Sequence, residues 1–516
     1  MRTLQEAFEA VETYSPAEEQ FNRRRRTVGL FLAPVVFVAL LAIPMPGLPW
    51  QAHRMAAITA LVMVLWVTEA LPMAVVALLG PLLAALLQVA RPRAAFQSFS
   101  DPIIFLFIGS FMLAEAMFVH GVDRRIAYTA LSQSFIGRSG ARVMLVYGGV
   151  AAALSMWISN TATTAMMFPI GLALVAHIAR SRTGKGRDMR RYATAMMLIT
   201  SFAASVGGMA TPVGTPPNLI GIGLIERISG VHIGFFRWMA IGVPLVVVLF
   251  TFLAVYFWWT SGRNIDAGEG SARLVRDELK KLGPVSVGQR NVLIAFLVTV
   301  LLWTLPGLMS VVALLVPSWQ APLGAFAKAY NDSVPEGVAA MVGALLLFVL
   351  PMHWRTRKFT LTWDEAVRID WGIVLLYGGG LALGDLAFST GLARAIGDGL
   401  TAWLPWHTPF ALTVLFTGLA IVLSEATSNT ASANMIVPVA IAVANSSGVN
   451  PILPALGATL GASMGFMMPI STAPNAIVYS SGYIPISSMM KYGIAVDLAG
   501  FVAIVTILGL LGPVLF

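Results

Sequence analysis

Charged residues are scarce in this chain. Only 11% of its 516 residues are Asp, Glu, Lys or Arg, whereas 57% are hydrophobic. Soluble domains carry about 25% charged residues, and a chain this apolar cannot hide its surface in one water-soluble core. The composition therefore excludes a typical cytosolic enzyme and a disordered protein. It predicts a polytopic membrane protein with room for roughly ten to twelve spans, since each spanning helix needs about 20 apolar residues.

Cysteine is absent, which excludes disulfides and thiolate metal sites. Lys and Arg outnumber Asp and Glu by 33 to 24. In a membrane protein such an excess marks cytoplasmic loops, so we expect a lipid bilayer and no nucleic acid as partner. The N-terminal residues are acidic rather than signal-like, and the basic run from Arg23 to Arg26 precedes the first apolar stretch. We therefore expect a multi-pass protein of the inner (plasma) membrane with a cytoplasmic N-terminus.

Thirteen apolar segments follow one another along the chain. They are 28–43, 55–71, 73–90, 102–120, 143–176, 193–225, 238–259, 291–316, 337–351, 372–389, 409–444, 453–481 and 492–516. Segments 143–176 and 409–444 are too long for one span and too short for two, and each carries a Ser-Asn-Thr cluster near its middle. A re-entrant hairpin that breaks at a polar tip fits both, provided that protein or an aqueous cavity surrounds the break. With the other eleven segments as spans, 26 basic residues fall inside and seven outside, which supports the orientation.

The two halves of the chain, on either side of the polar stretch 260–290, resemble each other. The residues around Glu115 align with those around Asp385, Ser159-Asn160-Thr161 aligns with Ser428-Asn429-Thr430, and GTPPNLI at 214–220 aligns with STAPNAI at 471–477. The three blocks occur in the same order, and an odd number of spans separates equivalent elements. The sequence therefore predicts inverted repeats with broken helices, which are typical of secondary transporters.

The two Ser-Asn-Thr clusters are the most informative motifs. Their hydroxyl and amide oxygens, together with carbonyl groups freed at a helix break, suit a hard cation such as sodium. The free N–H groups of the following half-helix suit an anion. Proline interrupts the helix at both Pro-Asn blocks, which favours an unwound loop at each. Segments 143–176, 193–225, 409–444 and 451–490 contain no Lys or Arg, so bound cations and helix termini must neutralise an anionic substrate there.

Other candidates for function are weaker. Gly461, Ser463 and Gly465 match the Gly-x-Ser-x-Gly pattern of hydrolases, but they lie in an apolar span, where glycines spaced by four residues indicate close helix packing instead. We therefore expect no enzyme activity. Ionisable residues within spans are also suspects, and Glu425 can either tune cation binding or cap its helix. The suspects are Glu69, Glu115, Asp385, Glu425 and Asp497.

With its paired Ser-Asn-Thr motifs, paired Pro-Asn loops and two hairpins, the sequence resembles the divalent anion/sodium symporter family, in its dicarboxylate branch, from about residue 28 to the end. The resemblance implies a homodimer, an elevator mechanism and sodium ions as coupling ions. It implies a first sodium site of Ser155, Ser159, Asn160 and Gly214, and a second of Ser424, Thr427, Asn429 and Ser471. It implies substrate contacts from Asn160, Thr161, Thr215, Pro216, Asn429, Thr430 and Thr472.

The expected fold is therefore an all-α polytopic membrane protein, with about 11 transmembrane helices and two re-entrant hairpins in an inverted repeat. We expect a cytoplasmic segment 1–27, scaffold parts 28–140 and 291–404, transport parts 141–262 and 405–516, and a cytoplasmic linker 263–290. The expected function is sodium-coupled symport of a C4-dicarboxylate such as succinate, malate or fumarate. A sodium-independent exchanger, or a citrate or sulfate transporter of the same fold, is the alternative.

Overall fold

The computed structural model describes residues 16–133, 139–180, 186–262, 265, 270–403 and 408–516. Parts of all six predicted segments lie outside the described residues: residues 1–15 of the cytoplasmic segment, 134–138 and 404 of the scaffold parts, 181–185 and 405–407 of the transport parts, and 263, 264 and 266–269 of the linker.

Twenty-three α-helices make up most of the described chain. In the first half they are α1 Pro16–Ala42, α2 Trp50–Thr68, α3 Met73–Leu86, α4 Pro92–Ala95, α5 Pro102–Val119, α6 Val122–Leu131, α7 Gly140–Ser155, α8 Asn160–Arg180, α9 Gly186–Gly208, α10 Pro216–Ser229 and α11 Phe235–Phe257. In the second half they are α12 Gly270–Lys281, α13 Val287–Leu315, α14 Gln320–Ser333, α15 Glu336–Val349, α16 Trp363–Ala366, α17 Trp371–Thr390, α18 Leu392–Thr401, α19 Pro409–Ala426, α20 Asn429–Ser446, α21 Ile452–Gly461, α22 Ala473–Tyr479 and α23 Ile486–Leu515.

Short irregular elements complete the described secondary structure. They are two 3₁₀ turns, Gln97–Ser100 and Pro317–Trp319, a π-helical turn Trp258–Gly262, and an antiparallel pair of strands, β1 Pro351–His353 and β2 Lys358–Phe359. The strands join only to each other, so they form a small hairpin at the end of α15 and leave the all-α class unchanged.

The prediction of an all-α polytopic membrane protein is confirmed. Within the described ranges, nine helices are long and apolar enough to cross a membrane. Seven of them match predicted spans, and the other two, α8 and α19, are arms of the predicted hairpins. The remaining four predicted spans are short or broken: α3 and α15 have 14 residues each, and segments 193–225 and 453–481 are interrupted after Gly208 and Gly461.

Two helices lie in stretches outside the thirteen predicted apolar segments. Helix α14 covers residues from Gln320 to Ser333 and meets α15 at a bend of 66°. Its Ala-containing sequence favours a helix, but residues such as Lys328 and Asp332 keep it from standing out as an apolar segment. Helix α12 lies in the predicted linker. Its Lys281 Nζ forms an ion pair at 2.5 Å with Oε1 of Glu278, three residues earlier.

The chain divides into two compact units. The first contains the described residues of Met1–Asp101, Pro216–His232 and Trp371–Phe516, and the second contains those of Pro102–Thr215 and Ile233–Asp370. The boundary between Thr215 and Pro216 falls inside the first Pro-Asn block. Each unit therefore holds one of the two Ser-Asn-Thr clusters and can be described by itself.

A hydrophobic cluster fixes the second hairpin within the first unit. Ala431 and Met435 of α20 are buried in one cluster with Leu65 of α2 and Val76 of α3. Between helices in a membrane, such contacts stabilise through van der Waals packing rather than through removal of apolar surface from water. The cluster therefore holds the start of α20 against α2 and α3.

Close helix packing stabilises the second unit. At Gly109 of α5, a Cβ atom would lie 2.6 Å from the carbonyl carbon of Ala340 in α15, so only glycine permits this approach. Phe235 of α11 stacks on Trp303 of α13 with ring centroids 4.6 Å apart. Small residues at helix crossings and stacked aromatic rings are typical of helix packing in membranes.

We expect Gly109→Val to destabilise the second unit, because the added side chain would collide with the backbone of α15. Overpacking of this kind costs about 1–3 kcal/mol. Thermal unfolding of the purified protein in detergent measures the loss. Gly324→Val is the matched control, since a Cβ atom at Gly324 has no neighbour within 4 Å. Equal melting temperatures for the two variants would contradict the packing argument.

Candidate functional site

Each Ser-Asn-Thr cluster lies at a break between two helices. In the second unit, α7 ends at Ser155 and α8 begins at Asn160. In the first unit, α19 ends at Ala426 and α20 begins at Asn429. We call Ser159-Asn160-Thr161 the first tip and Ser428-Asn429-Thr430 the second tip. The prediction that both long segments break at these clusters is confirmed.

The serine of each tip caps the helix that follows. Ser159 Oγ accepts the backbone N–H of Ala162 at 3.2 Å, and Ser428 Oγ accepts that of Ala431 at 3.2 Å. A serine N-cap satisfies one of the four unpaired N–H groups of a first helical turn. The other groups at the N-terminus, and the positive end of the helix dipole, remain directed at the tip.

An equivalent side-chain hydrogen bond joins the two helices at each break. Ser155 Oγ donates to Asn160 Oδ1 at 2.7 Å, and Ser424 Oγ donates to Asn429 Oδ1 at 2.7 Å. Both pairs are five residues apart, and both serines are fully buried. Each unit therefore places a hydroxyl and an amide oxygen side by side between a helix C-terminus and a helix N-terminus.

In the second unit, a loop of residues 209–215 packs against the first break. A side chain at Gly208 would collide with Asn160 Oδ1. A Cβ atom at Gly214 would lie 2.9 Å from the carbonyl oxygen of Ser155 and 2.5 Å from that of Gly208. Thr211 fixes the loop by donating its hydroxyl to the Met156 carbonyl. The oxygens of Ser155 and Asn160 thus face glycine backbone.

In the first unit, a loop of residues 462–472 packs against the second break in the same way. A Cβ atom at Gly465 would lie 3.0 Å from Asn429 Oδ1 and 3.3 Å from both the side-chain and the carbonyl oxygen of Ser424. Ser424 Oγ also contacts the Ala462 carbonyl at 2.7 Å. The loop therefore brings further oxygens to this break.

Glu425 fixes the second loop. Its Oε1 accepts the backbone N–H groups of Phe466 at 2.5 Å and Met467 at 2.8 Å, and its Oε2 accepts the Ser471 hydroxyl at 2.7 Å. Its carboxylate therefore holds the loop and not the end of its own helix, unlike the capping role proposed from the sequence, and the tuning of cation binding stays a prediction. Thr427, at the C-cap of α19, is buried and 2.8 Å from Ser432 Oγ.

The other predicted substrate residues lie at the tips and at the ends of the loops. Thr161 and Thr430 are half-buried and follow the asparagine of each tip. Thr472 caps α22 by accepting the backbone N–H of Asn475 at 3.3 Å. Thr215 is buried at the end of the first loop, and Pro216 is the first, half-buried residue of α10.

Each unit therefore groups one set of predicted sodium ligands. The second unit brings together Ser155, Ser159, Asn160 and Gly214, and the first brings together Ser424, Thr427, Asn429 and Ser471. Hydroxyl, amide and carbonyl oxygens at helix ends are the groups that coordinate sodium in broken-helix transporters. The roles of these residues stay predictions.

An arginine beside the second tip was not expected from the sequence. Arg25 of α1 donates to the Ala426 carbonyl at 3.4 Å and to Glu69 Oε2 at 2.7 Å. Glu69 is held there by a left-handed backbone at the end of α2, with φ 49°. In the sequence, Arg25 belongs to a basic run that indicates a cytoplasmic anchor, and no spacing pattern connects it with Ala426, 401 positions away.

The remaining suspects have structural surroundings. Arg227 contacts Asp385 at 3.1 Å, and Ser98 donates to the same carboxylate at 2.8 Å. Glu115 lies half-buried in α5. Ser463 is buried in a turn after α21, so it lacks the strand-to-helix turn that a hydrolase nucleophile needs.

Comparison with known families decides the class of protein. The family model described as the sodium:sulfate symporter transmembrane region matches residues 24–516. The chain belongs to this family. The resemblance to divalent anion/sodium symporters is thereby confirmed.

Curated members of the family are similar over nearly the whole chain. The sodium-dependent dicarboxylate transporter SdcS of Staphylococcus saprophyticus is 32% identical over 491 residues, which cover 94% of this chain and 91% of that protein. SdcS of Staphylococcus aureus is 31% identical over 492 residues, with the same coverage. The similarity therefore includes both tips and both loops.

Two solved structures share the fold at low identity. The YdaH transporter of Alcanivorax borkumensis has a TM-score of 0.51 at 14% identity, covering 90% of this chain and 99% of that one. MtrF of Neisseria gonorrhoeae, described as an antimetabolite efflux pump, has a TM-score of 0.51 at 12% identity, with 98% and 97% covered. These likenesses concern the fold alone.

We expect Gly465→Ala to weaken sodium activation, because the methyl group would lie within 3.3 Å of three oxygens at the second break. Transport should need a several-fold higher sodium concentration for half-maximal rate, with normal expression. Gly418→Ala in α19 is the control, since its Cβ atom would make only an ordinary contact at 3.5 Å. An unchanged sodium dependence in Gly465→Ala would show that no cation lies beside Asn429.

Proposed function

We propose that this protein is a secondary active transporter that carries a C4-dicarboxylate across the membrane together with sodium. The observation that carries this proposal is the repeated break: Ser155 with Asn160, and Ser424 with Asn429, form the same 2.7 Å pair in both units. A pair of oxygens at a helix C-terminus supports a cation site in each unit.

Each tip also suits a carboxylate. The N-terminus of α8 or α20 supplies backbone N–H groups, and the asparagine and threonine supply an amide and a hydroxyl. Hydrogen bonds from such donors to an ionised carboxylate are stronger than those between neutral groups. Two such tips in one chain match the two carboxylates of succinate, malate or fumarate better than the single charge centre of sulfate.

The names of the curated relatives support the same substrate class. Both proteins reported above are sodium-dependent dicarboxylate transporters, whereas the family description names sulfate. Because the relatives match over 94% of the chain, we assign the dicarboxylate to this protein. We likewise propose that it is a transporter without enzyme activity.

Sodium is needed to neutralise the substrate, because the four segments that form the candidate site lack basic residues. No Lys or Arg occurs in 143–176, 193–225, 409–444 or 451–490. A dianion in a low-dielectric cavity therefore needs at least two cations to approach neutrality. Arg25 does not change this, since its guanidinium is paired with Glu69.

The mode of transport follows the family resemblance. We propose an elevator movement of the transport parts, 141–262 and 405–516, against the scaffold parts, 28–140 and 291–404. We also propose a homodimer in the plasma membrane with its N-terminus in the cytoplasm. The helix-breaking loops support the elevator movement, and the excess of basic residues in the predicted cytoplasmic segments supports the orientation. The homodimer rests on the family resemblance.

We expect liposomes containing the protein to accumulate labelled succinate only when sodium is higher outside than inside. The rate should rise more steeply than first order in sodium, because each dianion needs at least two cations. Malate and fumarate should compete strongly with succinate, and monocarboxylates weakly.

Two outcomes would redirect the assignment. Uptake at full rate without sodium, driven by dicarboxylate inside the vesicles, would indicate an exchanger. Displacement of succinate by sulfate more effectively than by malate would contradict a site for two carboxylates.

We expect Asn160→Ala and Asn429→Ala to abolish uptake to similar extents. In each tip the asparagine amide can coordinate a cation through its oxygen and donate to an anion through its NH₂ group. Both variants should still insert into the membrane and purify as folded protein. Asn445→Ala, at the exposed end of α20, is the control and should transport normally. Near-normal uptake by either tip variant would rule out equivalent roles for the tips.

A further inference from the structure

The β-hairpin, residues 351–359, presents positive charge at the end of α15. It contains no Asp or Glu, and all of its Lys and Arg side chains are exposed: Arg355, Arg357 and Lys358. Within the described ranges none of these side chains forms an ion pair. The next acidic residues are Asp364 and Glu365 of α16, and Glu365 is engaged in capping that helix. The β-hairpin therefore carries three positive charges that suit an anionic partner.

An open cavity of about 580 Å³ lies against the β-hairpin. Arg357 and Lys358 line it with N–H donors, and Thr356 adds a hydroxyl group. Phe348 and Phe359 form its apolar part. Arginine can hold two oxygens of a phosphate group at once, and hydrogen bonds between ionised groups are the stronger ones. The lining therefore fits an amphiphile with a phosphate group at one end.

The backbone of Arg357 indicates that this arginine does not serve the turn itself. Its φ is 50°, in the left-handed region where a residue with a Cβ atom is strained and glycine is preferred. The turn nevertheless closes there, since the Arg357 N–H donates to the Trp354 carbonyl at 3.2 Å. Strain of this kind at a non-glycine residue points to a functional role for the side chain. The arginine therefore supplies something that the fold of the β-hairpin does not need.

Buried contacts fix the base of the β-hairpin. Asn291 of α13 is buried, and its amide nitrogen donates to the Pro351 carbonyl at 3.1 Å and to the Thr360 hydroxyl at 2.9 Å. The Thr360 backbone N–H donates to the Leu350 carbonyl at the end of α15 at 3.1 Å. The wall of the cavity is therefore held in place before any ligand binds, which lowers the entropy cost of binding.

The β-hairpin also lies where the membrane surface is expected. Trp354 and Trp363 are 76% and 63% exposed, and exposed tryptophans beside basic residues are typical of the membrane–water interface. The proposed orientation places this end of α15 in the cytoplasm, where the leaflet carries anionic lipids. Exposed apolar residues spaced along one face of α15 lead to the β-hairpin from the membrane: Val338, Val342, Leu345 and Val349.

We propose that the β-hairpin binds an anionic phospholipid of the cytoplasmic leaflet. The lipid phosphate contacts Arg357 and Lys358, and the acyl chains follow the apolar face of α15. A zwitterionic lipid would bring its own cation towards the same basic residues, which repel it. A free phosphate ion would lack the apolar contacts at Phe348 and Phe359. The inference goes beyond substrate transport and depends only on the orientation that we propose for the chain.

Lipid binding by the purified protein in detergent tests this proposal. Native mass spectrometry should show that the protein retains phosphatidylglycerol in preference to phosphatidylcholine, and added phosphatidylglycerol should raise the melting temperature. We expect Arg357→Gln and Lys358→Gln each to weaken this retention about tenfold, because each removes a charge-assisted contact. Arg355→Gln is the matched control, since it removes the same charge from the β-hairpin but not from the wall of the cavity.

A glycine variant separates a role in binding from a role in the fold. Glycine adopts a φ of 50° without strain, so Arg357→Gly should keep or raise the melting temperature without lipid and still lose phosphatidylglycerol. A lower melting temperature with unchanged lipid retention would overturn the proposal, because the arginine would then serve the fold.

Three further results would also overturn it. Equal retention of the two lipids would indicate unspecific adsorption, and equal protection by inorganic phosphate would indicate a site for small anions. A changed oligomeric state of Arg357→Gly with unchanged lipid retention would assign the β-hairpin to a contact with a second copy of the chain. None of these measurements needs transport, so their outcome is independent of the proposed function.

Discussion

The structure depends on how it satisfies backbone groups where helices break inside an apolar chain. An unpaired N–H or C=O group in a lipid environment costs several kcal/mol, so each break must be compensated by protein. Serine caps at Ser159 and Ser428 take up N–H groups of the following helices. Hydrogen bonds from Ser155 and Ser424 hold the asparagine amides in place. The groups that remain at each break are those that can bind ions, so the compensation for broken helices and the candidate site are the same arrangement.

The sequence predicts this arrangement because its causes are local. Ser-Asn-Thr and proline alter the helix within a few residues of where they occur, and both breaks occur at the predicted clusters. The repeat itself could also be recognised, since three short blocks keep their order. Helix α14 could not be recognised from the sequence in this way. Its polar residues give it a composition typical of a loop, although its alanines favour a helix.

Contacts between distant residues could not be predicted. Arg25 contacts the end of α19 across 401 positions, and Glu425 accepts backbone N–H groups of residues 41 and 42 positions later. Nothing in the residues themselves specifies these pairs, because each depends on how helices pack.

The two repeats keep their geometry but differ in charge, and this difference has a consequence for coupling. Around the first break, Met156 and Gly214 offer no ionisable group; around the second, Glu425 and Ser471 form a hydrogen-bonded acidic site. In a low-dielectric interior, a negative charge attracts a cation over several ångströms. Of the two proposed sodium sites, the second therefore attracts its cation more strongly. Under the proposed function, a cation bound there also strengthens the attraction for a substrate carboxylate at the adjacent helix N-terminus. Binding of sodium and anion at that tip would then be mutually reinforcing, as linkage between two ligands requires.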